Sequence, residues 1–106
     1  MNHPTPLTFA AFQALIHDRY FATDSARGAP ATFLWLIEEV GELATALQNN
    51  APGRQPPPNP ADRANLEEEF ADVIAWLTTL ANIHAVNLEQ ALTKYTHKGR
   101  VEGVKH

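Results

Sequence analysis

Three glutamates fall within five positions of LIEEVGELATAL, residues 36–47: Glu38, Glu39 and Glu42. A second acidic pair, Glu69 and Asp72, follows after 26 intervening residues. Residues three or four apart share a helix face, so each stretch offers carboxylates on one side. Two such helices packed antiparallel would bring the pairs together. Like charges about 5 Å apart at an effective dielectric near 20 repel by roughly 3 kcal/mol. A cluster of four therefore needs protons or a divalent cation. Oxygen donors without sulfur or histidine favour Mg²⁺ or Mn²⁺ over zinc, and Mg²⁺ usually keeps water-filled positions that a phosphate can occupy. The plain alternative is a pair of solvated helix faces. Against it, both clusters border apolar stripes rather than opposing them. Glu67 shows the contrast, pointing away from its stripe, and Glu68 needs no role beyond solubility. A diiron bundle would want Glu-x-x-His on its helices. The corresponding acidic positions here are Glu42 and Asp72.

The elements that must carry these side chains read as four helices and no strand. Thr8 is the expected N-cap of a first helix to about Ala22, with Phe9, Phe12, Leu15, Ile16 and Tyr20 at helical spacing. TDSARGA reads as a loop, and Pro30 suits the first position of a second helix to about Gln48. Phe33, Leu36, Val40, Leu43 and Leu47 form its apolar stripe. Glu39, Glu42 and Trp35 lie on the flank. The stretch NNAPGRQPPPNPAD holds five prolines and must be a loop; beside a functional helix it is either a lid or a spacer. Asn59, Pro60 and Asp62 supply an N-cap, N1 and N3 for a third helix to about His84. Its stripe is Leu66, Phe70, Val73, Leu77 and Leu80, with Glu69, Asp72 and Trp76 on the edge. Asn87 and Gln90 suit a capping box for a fourth helix, and Gly99 its stop.

Length and composition set bounds on this picture. The 106 residues suffice for one domain, read as residues 1–106, with a modest core. Apolar residues make up 44%, the range of a globular chain. A net charge of -4 argues against nucleic acid as a partner, since phosphate-backbone binding relies on clustered Lys and Arg. The absence of cysteine excludes disulfides and thiolate metal sites. No apolar run approaches the roughly 18 residues of a membrane span. MNHPTPLTF lacks the basic-then-apolar order of a secretory signal, so the expected location is cytoplasmic.

EEVGE at 38–42 and EFADVIAWLTTLANIHAVNLEQAL at 69–92 resemble the MazG-like nucleoside triphosphate pyrophosphohydrolases of the all-α NTP pyrophosphatase superfamily. The resemblance implies an all-α, four-helix, oligomeric bundle. It implies cleavage between the α- and β-phosphates of (d)NTPs, giving a nucleoside monophosphate and pyrophosphate, for sanitation of the nucleotide pool. It places Mg²⁺, or Mn²⁺, on Glu39, Glu42, Glu69 and Asp72, with Glu38 and Glu39 as catalytic candidates. Glu38 is either an outer group or one that orients the attacking water. Lys94 matches a basic residue that relatives use near the phosphates; alternatively it is a solvated lysine near a helix C-terminus. Arg100 and Lys98 are candidates of the same kind. His97 stands where many relatives carry asparagine.

Trp35 and Trp76 fall on the carboxylate side of their helices, to stack on a base or to be buried between subunits. His84 reads as a helix boundary, and His3, His17 and His106 show no ligand spacing. Limited core and wide apolar stripes predict a homo-oligomer, with a tetramer built as a dimer of dimers favoured. Two other functions fit the sequence: phosphoribosyl-ATP pyrophosphohydrolase, or a non-catalytic helical oligomerisation module.

Overall fold

The computed structural model describes residues 6–97, and every regular element among them is a helix. α1 spans Phe9–Arg27, α2 Ala29–Asn49, α3 Pro60–Ile83, α4 Leu88–Ala91 and α5 Thr93–Thr96. The fourth expected helix is therefore two short turns, α4 and α5, divided at Leu92. Its expected stop, Gly99, lies outside the described residues.

α1 begins where its cap chemistry dictates. Thr8 Oγ1 accepts from the Ala11 backbone N–H at 3.0 Å, satisfying one of the first-turn donors. Its end differs from the sequence reading. The helix continues past Ala22 through Thr23–Arg27, and only Gly28 turns the chain. Nothing in Thr23–Arg27 breaks a helix, and Asp24 and Arg27 form an i,i+3 ion pair at 3.1 Å. Gly28 has φ 84 and ψ 166, a conformation essentially reserved for glycine. One residue thus joins α1 to α2. Thr32, fully buried, ties the corner: its hydroxyl donates to the Gly28 carbonyl at 2.7 Å and accepts from Arg27 Nη1 at 3.2 Å.

The proline-rich connection is fastened at its base. Asn50 Nδ2 donates to the Ala46 and Asp62 carbonyls at 2.8 and 3.0 Å. Arg54 Nη1 donates to the Asn49 carbonyl at 3.1 Å and meets Asp62 Oδ2 at 3.3 Å. Asn59 and Asp62 complete the expected capping box of α3. Asn87 likewise accepts from the Gln90 N–H at 2.9 Å.

α2 and α3 run antiparallel and share the largest helix–helix contact. Asn50 meets Asp62 at one end, and Trp35 meets Trp76 at the other. The line of α2 turned inward is Thr32, Leu36, Glu39, Leu43 and Ala46, continued by its C-cap Asn50. On α3 it is Leu66, Glu69, Val73, Trp76, Leu80 and Ile83. Both alternate steps of four and three, the spacing of a coiled-coil seam. This seam is rotated from the stripes expected from sequence. Phe33, Val40 and Leu47 of α2 and Phe70 and Leu77 of α3 stay exposed in the single chain. Two small residues of this line, Thr32 and Ala46, are fully buried. Glu39 and Glu69 consequently occupy seam positions, not flanks. α1 packs across the C-terminal half of α3, where Gln13 Nε2 donates to Asn82 Oδ1 at 3.0 Å.

Candidate active site

The seam brings carboxylates from both helices to one place. One oxygen each from Glu39, Glu69 and Asp72 lies within 4.8 Å of the others. Glu39 and Glu69 are half-buried, and Asp72 is exposed. Glu42, one turn along α2 from Glu39, adds its charge to both glutamates. The Glu39 carboxyl is pushed up from 4.5 to about 7, by burial first and then by Glu42, Asp72 and Glu69. Glu69 is also raised, by burial first and then by Glu42 and Asp72. Among the described residues, every charged group acting on Glu39 is another carboxylate.

Two oxygens make the imbalance concrete. Glu39 Oε2 and Glu69 Oε2 are buried with no hydrogen-bond partner among the described residues. A buried acceptor left unsatisfied costs about 1–3 kcal/mol, and more where it is charged. An all-oxygen donor set at this spacing, short of positive charge, fits a hard divalent cation. Glu39, Glu69 and Asp72 are the residues that could hold it, with Glu42 adjoining.

One turn away is an aromatic pair. Trp35 and Trp76 stack with centroids 6.1 Å apart and planes 12° from parallel. Trp35 precedes Glu39 by four residues and Trp76 follows Asp72 by four, so helix geometry sets the indoles beside the carboxylates. The Arg27 guanidinium lies 5.1 Å from the Trp76 ring centroid. Arg27 and its partner Asp24 belong to TDSARGA, which reads as a loop in the sequence and is helical in the structure. The usable signal was the Asp-x-x-Arg spacing just before a glycine.

The remaining candidates are not among the three residues whose oxygens converge. Glu38 is exposed on α2, beside Glu39 in sequence but about 100° around the helix. Glu67 and Glu68 are exposed on α3. Lys94 is exposed on α5, its Nζ 5.4 Å from the Tyr95 ring centroid. His84 caps α3 and His97 caps α5. His17 stacks on Phe21 at 4.2 Å. Lys98, Arg100, His3 and His106 lie outside the described residues.

Comparison with known proteins gives the same frame. The chain is similar to dCTP pyrophosphatase 1 of Mus musculus, 45% identical over 62 residues that cover 56% of this chain and 36% of that protein. It is 42% identical to dCTP pyrophosphatase 1 of Bos taurus over the same extent. The matched stretch thus spans about a third of the length of either relative. Residues 28–101 match the MazG nucleotide pyrophosphohydrolase domain. That match takes in α2, α3 and every carboxylate of the cluster, and the chain belongs to the MazG nucleotide pyrophosphohydrolase family.

Proposed function

We propose that this chain is a Mg²⁺-dependent nucleotide pyrophosphohydrolase. It cleaves (d)NTPs between the α- and β-phosphates to nucleoside monophosphate and pyrophosphate, as a single domain over residues 1–106. The observation that carries the proposal is the convergence of Glu39, Glu69 and Asp72 within 4.8 Å, two of them with a buried oxygen that has no partner among the described residues. Family membership supports the reaction type. Glu39, Glu42, Glu69 and Asp72 would hold the Mg²⁺, which when bound neutralises phosphate charge and makes water more acidic. Mn²⁺ suits the same oxygens.

The chain's own groups then divide the work. The carboxylates fix where the triphosphate lies by fixing where its counter-charge lies. Glu38, outward on α2, is the candidate to orient the attacking water and take its proton. Lys94 and Arg100 are candidates for phosphate contacts. Trp35 and Trp76 offer a planar surface on which a base can stack. No cysteine is present to act as a covalent nucleophile, and direct attack by water requires none.

The relatives are named for dCTP, so dCTP heads the substrate panel. A homo-oligomer, built as a dimer of dimers, fits the exposed apolar residues on α2 and α3. Cleaning of the nucleotide pool in the cytoplasm is the role this reaction would serve. No helix among the described residues is long and apolar enough to cross a membrane.

The test is product analysis over NTPs, dNTPs and phosphoribosyl-ATP, with and without Mg²⁺, alongside Glu39→Gln and Asp72→Asn. Pyrophosphate and monophosphate released only with metal, and lost in both variants, are the expected products. A folded protein that turns over nothing on the panel, and whose stability ignores Mg²⁺, is instead a helical interaction module.

A further inference from the structure

Arg27 closes α1 and links all three long helices. Its Nη2 meets Asp24 Oδ1 at 3.1 Å, one turn back on α1, and its Nη1 donates to Thr32 Oγ1 at 3.2 Å on α2. Both anchors are buried, Asp24 at 4% exposure and Thr32 at 0%. The Thr32 hydroxyl is itself turned by the Gly28 carbonyl, to which it donates at 2.7 Å. Two bonds from a planar fork fix the direction of a guanidinium as well as its place. Neither bond comes from α3. The α1–α2 corner therefore sets where this cation lies. Trp76 of α3 meets it there, its ring centroid 5.1 Å from the guanidinium carbon.

Trp76 needs such a support. Its stacking partner, Trp35, is 47% exposed, and the outer torsion of a tryptophan side chain is broad. On the α1 side lies a cavity of about 320 Å³, with Tyr20, Thr79, Arg27 and Trp76 itself among its walls. An indole with open space beside it and a half-exposed partner can turn away from that partner. A cation attracted to its face opposes the turn. A binding site keeps its geometry only where neighbours lock the rotamers of its contacting groups.

We propose that Arg27 is a positioning residue: anchored by Asp24 and Thr32, its guanidinium holds the Trp76 ring against Trp35 and so keeps the surface on which the base stacks. It acts on the base only through Trp76. This rests on the reading of the tryptophan pair as that surface, and adds to it the residue that sets the surface.

The two tryptophans of the chain are Trp35 and Trp76, so the tryptophan signal in near-ultraviolet circular dichroism reports on the pair without turnover. The experiment compares wild type, Arg27→Met and Arg27→Lys as full chains, with Thr8→Ala as the control. Thr8→Ala removes the N-cap at the far end of α1 and lowers stability without touching the corner. Urea midpoint, tryptophan signal, and KM and kcat for dCTP or the best substrate of the panel are measured on each. Arg27→Met should lose most of the signal and raise KM about threefold to tenfold, the worth of one cation–π contact, with kcat within about twofold. Arg27→Lys, a cation without the fork, should fall between it and wild type. Thr8→Ala should keep the wild-type signal and KM at a lower midpoint. A wild-type signal in folded Arg27→Met overturns the proposal, and where that variant does not fold, a wild-type signal in Arg27→Lys does so. A matching loss of signal in Thr8→Ala overturns it too, since the loss would then follow from stability alone. A changed signal at wild-type KM removes the base from the pair, and the proposal with it, and leaves the hydrolase standing. A wild type that turns over no nucleotide removes the hydrolase reading and this role together.

Discussion

Glu39 of α2 and Glu69 of α3 face one another across the helical seam, each with a buried Oε2 that no group among the described residues satisfies. A seam position normally goes to an apolar side chain. Two carboxylates there destabilise the metal-free protein, because burial and mutual repulsion both act against their charge. Removing one charge should relieve the other. Glu39→Gln is expected to raise the melting temperature of the metal-free protein by a few degrees, since about 1 kcal/mol shifts a domain of this size by about 4–8 °C. Mg²⁺ should raise the wild-type melting temperature, by about 2.7 kcal/mol of stability at a hundredfold excess over Kd. It should leave Glu39→Gln nearly unmoved. Differential scanning calorimetry with chelator and with Mg²⁺ checks both, and a variant no more stable than wild type would refute the strain.

The same burial sets a pH dependence. The folded-state value for Glu39 is about 7 against an ordinary 4.5, so the folded chain holds this proton more tightly than the unfolded chain. Between these values the folded state binds more protons, and stability must fall as pH rises. The contribution is fully present below about pH 4.5 and is gone above about pH 7. Denaturant midpoints of metal-free protein across that window should decline with pH. In Glu39→Gln the decline should shrink, leaving the slope from Glu69, which is raised as well.

Much of this site was legible because spacing on a helix is geometry. The intervals between Glu39 and Glu42, and between Glu69 and Asp72, put each pair on one face, and Asn59 and Asp62 announced the helix that carries the second. The rotation of the seam was not legible. Phe33, Val40 and Leu47 make the more apolar stripe, but which stripe turns inward depends on how closely the backbones approach. That approach is a property of the helix pair, and Thr32 and Ala46 show as its buried positions only once the partner helix is in place. Asp24 and Arg27 were hidden for another reason. A run of Thr, Asp, Ser, Ala and Arg has weak local preference, and an ion pair to its own turn, together with the Trp76 ring, makes it helical.

Trp76 stands one helical turn from Asp72 and stacks on Trp35, and its loss should separate binding from fold. Trp76→Ala removes the stack on Trp35 and the Arg27 contact, together worth about 1–3 kcal/mol. Trp76→Phe keeps a ring. The alanine variant should show a raised KM and a near-ultraviolet circular dichroism spectrum lacking the Trp pair signal, and the phenylalanine variant a smaller rise in KM. Equal KM values in all three proteins would place the base elsewhere.

The corner between α1 and α2 depends on one residue. Gly28 has the φ of 84 and ψ of 166 that a side chain resists, although a Cβ there would find its nearest neighbour 3.9 Å away at Pro30 Cδ. Space is therefore not the constraint; backbone conformation is. Gly28→Ala should cost about 1–3 kcal/mol by urea denaturation. The loss should pass to Asp24 and Thr32, because both bond at this corner. An alanine variant as stable as wild type would mean that the turn can be made another way.

The apolar stripe that the seam leaves outside has its own consequence. Leu34 is 72% and Ile37 52% exposed on α2, and Phe70, Ile74 and Leu77 are exposed along α3. Neighbouring apolar side chains in such number mark an interface more often than a bare surface, and a chain of this size gains most by sharing them with copies of itself. Light scattering after size exclusion should give a multiple of the 11.7 kDa chain mass. Introducing a charge by Ile37→Glu should shift that mass downward while helical content is retained. Ile37 lies two residues from Glu39, so a fall in Mg²⁺-linked stabilisation in the same variant would mean that assembly also holds the seam in register. A wild-type monomer would show that the exposed stripe serves something other than self-association.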